Sequence, residues 1–168
     1  LSLVLILKSW LLHNKLMNTY IPNIPDIDKK RIVIIGGGFA GLKFVRKMVC
    51  QGYQIVILDK NNYHQFQPLL YQVATSGLEP SAISFPFRKI LQNFKHTHFR
   101  IASLIEIFKD KNEIQTSIGK LKYDYLILAM GATTNFFGQK NIEKFSLSMK
   151  TSADAIFIRN TILQNFEN

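Results

Sequence analysis

Three glycines, Gly36, Gly38 and Gly41, stand at the spacing G-x-G-x-x-G in the run Gly36, Gly37, Gly38, Phe39, Ala40, Gly41. Asp59 follows Gly41 with seventeen residues between them. These residue types at this spacing suit the holding of an adenine dinucleotide. The first glycine permits a sharp turn out of a strand, the second leaves room for the pyrophosphate, and the third lets helix and strand approach. The amides and dipole at the helix start then face the phosphates. A carboxylate at Asp59 can accept hydrogen bonds from ribose hydroxyls. Lys60 follows it and could meet a 2′-phosphate, which the acid before it disfavours. Loop geometry alone leaves FAD and NAD both open.

The motif needs a strand before it and a helix after it. Arg31–Ile35 is a continuous β-branched run, as in a strand buried on both faces. Leu42, Val45, Met48 and Val49 recur at helical spacing, and Gly52 reads as the stop of that helix. Gln54–Leu58 is a second buried strand, completing a βαβ unit. Residues 61–80 read as a loop. A helix is expected from Ser84 to Asn93, capped by Ser84 with Pro86 in its first turn. Phe99–Phe108 and Glu113–Ile118 read as two strands joined through Lys109–Asn112, and Tyr123–Ala129 as another buried strand ending at Gly131. Thr151 and Asp154 form a capping-box-like start to a last helix with Ala155, Ile158, Ile162 and Phe166 on one face. The fold class is α/β: a Rossmann-like parallel sheet with helices and a small antiparallel insertion.

The 168 residues are 47% apolar and 19% charged, enough for one packed domain. The net charge of +10 is scattered, with no run of five like charges, which argues against a nucleic-acid tail. The single cysteine, Cys50, rules out a disulfide within the chain and a thiolate metal cluster, and with them a redox-cysteine flavoenzyme built from these residues alone. Residues 1–29 read as a leader. Leu1–Leu12 is apolar but broken by Lys8, and at 1.5 Å per residue it spans about 18 Å, short of a bilayer core. Residues 1–16 are read as sequence upstream of a natural start at Met17, with a membrane-touching or signal segment as the alternative. No metal site is expected. His96 and His98 read as surface or strand polarity and His64 as a structural loop residue, while His13 falls in the leader. Tyr71, Phe85, Phe87 and Phe94 read as core.

The chain resembles the type II NADH:quinone oxidoreductases in four stretches: Arg31–Leu42, Leu58–Ala74, Tyr123–Gly138 and Met149–Glu167. The second, with Asn61-Asn62-Tyr63-His64 and Phe66-Gln67-Pro68-Leu69-Leu70-Tyr71-Gln72, is the most specific. The resemblance implies an FAD-binding Rossmann-like domain, here residues 30–150, and a separate NADH-binding domain. The sequence holds no second G-x-G-x-x-G, so residues 151–168 read as a helix leading towards that domain and the whole as an N-terminal part, inactive by itself. By resemblance, Gly36 to Gly41 and Asp59 hold FAD, the backbone near Leu104 meets its adenine, Ala129 to Gly131 approach the cofactor, and Phe66 to Leu70 lie on the flavin side. Where the family commonly has Ala-Thr-Gly, this chain has Ala129-Met130-Gly131, losing a hydroxyl. The implied reaction carries electrons from NADH through flavin to a quinone. The implied setting is peripheral, on the cytoplasmic face of the inner membrane, with a possible homodimer in the longer protein. The alternatives are a non-catalytic dinucleotide-binding module, or another flavoprotein reductase such as a ferredoxin or sulfide reductase.

Overall fold

The computed structural model describes residues 22–167; the expectations for residues 1–21, His13 among them, lie outside the described residues. The described chain divides into two compact units, residues 22–62 with 91–130, and residues 63–90 with 131–167.

The first unit is built on a parallel sheet. Strand β1 (Arg31–Ile35) leads through helix α1 (Phe39–Met48) to β2 (Gln54–Asp59), and β1 pairs β2 in parallel from Arg31↔Gln54 to Ile35↔Leu58. Strand β5 (Thr97–Ile101) adds beside β2, and β9 (Tyr125–Leu128) beside β1, giving the order β5-β2-β1-β9. The β-branched runs of β1 and β2 are buried almost throughout, because sheet neighbours and both covered faces exclude water. Leu42 and Val45 bury the inner face of α1. The helix ends at Met48, capped by Val49, so Gly52 is not its stop. At φ +80°, Gly52 instead turns the chain into β2.

The run Phe99–Phe108 is not one strand. It divides at Ala102 and Ser103: the first part is β5 of the parallel sheet, the second is β6 (Leu104–Phe108) of an antiparallel sheet with β7 (Glu113–Thr116) and β8 (Gly119–Lys122). Ser103 N–H donates to Ser117 Oγ at 3.0 Å, and Ser117 N–H to the Ser103 carbonyl at 2.9 Å, fixing the break. The antiparallel sheet sends Ile114 and Leu121 onto Val33, Ile35, Val56 and Leu58 of the parallel one. Among the described residues β9 pairs with β1 alone, and Tyr125 and Leu128 are exposed on its faces, so the strand expected to be buried is a partly exposed edge.

The second unit corrects four expectations. Within the supposed loop, Tyr63–Gln65 forms β3, and Leu70–Ala74 forms helix α2 after a 3₁₀ turn at Gln67–Leu69. The supposed helix at Ser84 begins as strand β4 (Ser84–Pro86), antiparallel to β3, and only Phe87–Leu91 is helical (α3). Ser84 closes the preceding 3₁₀ turn at Pro80–Ile83, its Oγ donating to the Pro80 carbonyl at 2.9 Å, rather than starting a helix, while Pro86 closes the short strand. Of the aromatics expected in the core, Phe87 is buried and Phe94 half-buried, but Tyr71 and Phe85 are exposed. A short helix, α4 (Lys140–Phe145), precedes helix α5 (Ser152–Glu167). Leu70, Val73, Ala74, Ile83 and Ala155 pack α2 against the start of α5, with Ile158 at the margin. Ile162 and Phe166 of the expected face lie exposed.

The start of α5 is tied down. Asp154 Oδ2 accepts from Lys150 N–H at 3.0 Å and Thr151 N–H at 2.9 Å, Thr151 Oγ1 accepts from Asp154 N–H at 3.2 Å, and Gln65 Oε1 accepts from Ser152 N–H at 3.1 Å. The Lys150 amide does most to lower the Asp154 pKa from its ordinary value; burial opposes it, and the Thr151 amide and hydroxyl add to the lowering. A depressed carboxyl pKa stabilises the fold above the ordinary value, and that stability is lost as pH falls through the folded value. Asp154→Ala is expected to cost about 1 kcal/mol at neutral pH. Denaturation of both chains should show the gap closing in acid.

Candidate dinucleotide-binding site

The carboxyl end of β1 runs straight into the glycine turn. Gly36 N–H donates to the Leu58 carbonyl at 2.8 Å, and Gly36 adopts φ +102°. A Cβ there would stand 2.3 Å from the Ala129 carbonyl oxygen and 3.0 Å from Met130 N. Ala129 N–H donates to the Ile35 carbonyl at 2.8 Å, so the end of β9 is pressed onto the turn. This contact gives Gly36 a second reason to be glycine, besides its conformation.

Gly37 N–H donates to Asp59 Oδ2 at 2.7 Å, and Asn61 N–H to Asp59 Oδ1 at 2.9 Å. Asp59 therefore clamps the turn to the end of β2, and each carboxylate oxygen retains a lone pair for a ribose hydroxyl. The Asn61 contact went unread in the sequence, although an Asp two residues before an amide is an Asx-turn signature. Lys60 is exposed beside it.

Gly38 precedes the first turn of α1 in extended conformation, with nothing within 4 Å of where a Cβ would lie. Phe39 and Ala40 are exposed at the helix start, and the first turn carries no acid to oppose an anion. Gly41 is closed in: a Cβ would be 2.1 Å from the Gly36 carbonyl oxygen and 3.4 Å from Ile34 Cγ2, so the turn is its nearest neighbour and the strand its next. An open cradle at Gly38, between a helix start and a carboxylate, fits a pyrophosphate with its ribose.

Ala102 N–H donates to the Asp59 carbonyl at 2.9 Å, which brings the chain leading to Leu104 beside the acid. Leu104 itself opens β6, half-buried against the core. Met130 is exposed after Ala129, and Gly131 has φ +75° with open space where a Cβ would be. His64 lies in β3, edge-on to Phe87 with centroids 6.5 Å apart. His96 sits in a left-handed turn at φ +55°, and His98 is on β5 opposite Val56. Among the described residues no three of His, Cys, Asp and Glu gather as a metal site, and Cys50 is exposed.

The NDH2 structure from Plasmodium falciparum in complex with NADH matches with a TM-score of 0.75 and 28% identity, over 83% of this chain and 30% of that one. The sulfide:quinone oxidoreductase of Aquifex aeolicus matches with a TM-score of 0.73 and 27% identity, over 83% and 33%. In sequence, the type II NADH:quinone oxidoreductase Ndh of Mycobacterium tuberculosis is 33% identical over 143 residues, covering 83% of this chain and 31% of its own length. The chain thus spans less than a third of the curated relatives it resembles. The sequence profile of the pyridine nucleotide-disulphide oxidoreductases matches residues 30–165, and with this glycine turn in place the chain belongs to that family.

Proposed function

We propose that these residues form the FAD-binding part of a type II NADH:quinone oxidoreductase. The observation that carries the reading is the open cradle at Gly38, with the start of α1 on one side and Asp59 clamped to the turn on the other. Bound FAD supplies the acceptance of electrons from NADH and their discharge to a quinone. The residues of this chain bind and orient it. The amides of Gly38 to Gly41 at the helix start take the pyrophosphate, Gly37 holds Asp59 in place through its own N–H, Asp59 takes the ribose, with Lys60 beside it, and the backbone before Leu104 borders the adenine. The backbone from Ala129 to Gly131 lies along the cofactor. Residues 151–168 lead towards an NADH-binding domain. Quinone as acceptor calls for peripheral membrane contact, on the cytoplasmic face of the inner membrane. Among the described residues no helix is long and apolar enough to cross a membrane.

A second reading, a sulfide:quinone oxidoreductase, draws on the nearly equal structural match to such an enzyme. One exposed cysteine gives these residues no redox pair to support it.

The test is the visible spectrum of the purified chain after incubation with FAD, beside a version carrying any adjoining coding sequence. Flavin absorption bleached by NADH and restored by a quinone supports the proposal. Bleaching by sulfide in place of NADH supports the second reading, and absence of flavin from both proteins defeats both. Asp59→Asn, which keeps size but removes charge, is expected to weaken FAD retention by about tenfold or more, since a hydrogen bond to a charged group contributes roughly 1.5–3 kcal/mol. Equilibrium dialysis against FAD measures it.

A further inference from the structure

Residues 22–30, before β1, form no strand, yet side chains of the parallel sheet hold them at several points. Arg100 Nε donates to the Pro22 carbonyl at 2.8 Å, and a second nitrogen of the same guanidinium to the Asn23 carbonyl. Gln54 Nε2 donates to the Pro25 carbonyl at 2.6 Å. Arg31 Nη2 reaches the same carbonyl at 3.3 Å and pairs with Asp26, while Arg31 Nε donates to Gln54 Oε1 at 2.6 Å. Between the two anchor points Ile24 packs on the cluster of Val33, Ile35, Val56 and Leu58. Gln54 N–H donates to the Lys30 carbonyl at 3.0 Å, which ties the end of the segment to β2, whereas residues 22–28 are fastened through side chains and one apolar contact.

The register puts a titratable group beneath it. Arg31 pairs with Gln54, Val56 with His98, and Leu58 with Arg100. Paired residues, and residues two apart on a strand, share a face. Arg31, Gln54, His98 and Arg100 therefore lie on one face, with His98 between the two anchors. We propose that residues 22–28 are a proton-released strap: a charge on His98 opposes the two guanidiniums that hold the strap down, and its detachment uncovers the seat of Ile24.

The groups facing His98 are Arg100 and His96 from its own strand and turn, and Arg31 from β1. Asp26 of the strap sits on the Arg31 guanidinium, and Asp124 accepts the Arg31 N–H at 2.6 Å. Burial, then Arg100, Arg31 and His96, lower the His98 pKa from 6.5. Arg100, Arg31 and His96 act on His98 with the strap on or off, so it is the burial added by the strap over that face, the first of these causes, that links docking to neutral His98 and weakens the docked state in acid.

Hydrogen exchange of the full chain, corrected for intrinsic rates, tests the strap. Protection of residues 23–28 is expected to fall by up to about tenfold for each pH unit below the ordinary histidine pKa, while the β2 amides stay protected. His98→Gln should flatten that dependence, and Arg100→Met should expose the strap already at neutral pH with β2 intact. Three results would each overturn the proposal: strap protection independent of pH, loss of strap and β2 together, or an unchanged pH profile in His98→Gln. A strap still protected in Arg100→Met would equally overturn the clamp.

Discussion

Gly36→Ala is expected to destabilise the first unit by about 3 kcal/mol or more. Two effects add at one atom. The backbone at φ +102° disfavours any side chain, and the new methyl would lie 2.3 Å from the Ala129 oxygen and 2.7 Å from its carbon. Both neighbours are backbone, so no rotamer change relieves the clash. Either β9 moves off β1, breaking the Ala129 to Ile35 hydrogen bond, or the turn opens and Gly37 leaves Asp59. Urea denaturation should show the midpoint falling sharply. Flavin binding should be lost with it. A midpoint near the parent's would mean that β9 does not bear on the turn as described.

Gly38→Ala should behave in the opposite way. Nothing lies within 4 Å of its Cβ position, and its φ of −69° suits any residue. Stability should change by only about 0.5 kcal/mol, the usual penalty for alanine at a helix cap. FAD affinity should fall on the order of a hundredfold, because the methyl occupies the space that close pyrophosphate approach requires. Denaturation together with FAD titration of the same protein separates the two effects. A Gly38→Ala chain that binds FAD as the parent does would remove the cradle from the proposed site. The pair of variants distinguishes a glycine needed by the fold from one needed by the ligand.

The βαβ unit was legible because its signals are local. A β-branched run, a glycine turn, apolar residues at helical spacing and an acid at the next strand end all fall within thirty residues. The elements misread are those whose partners are remote. β3 and β4 are three residues each, and their pairing joins Tyr63 to Pro86. Helix α2 is five residues long and is held by contact with Ala155, far along the chain. Phe99–Phe108 is one apolar run by pattern, and only the serine pair at 103 and 117 shows where it passes between sheets. The face of α5 was read from periodicity, but periodicity cannot tell which turns of a helix meet a neighbour. In the site, the spacing of the glycines and Asp59 was plain. The contact of Ala129 with Gly36 was not, since it depends on a strand that arrives about ninety residues later.

That late arrival has a kinetic consequence. The segment bearing Asp124 and β9 meets Arg31 across a separation of 93 residues. Loops of this length form slowly, because chain entropy is lost before any contact rewards it. During synthesis β1, α1 and β2 emerge together and can assemble early, whereas the glycine turn keeps an open side until residue 129 is in place. An emerging chain should therefore become competent for cofactor only after β9 has left the ribosome, however early its glycines appeared.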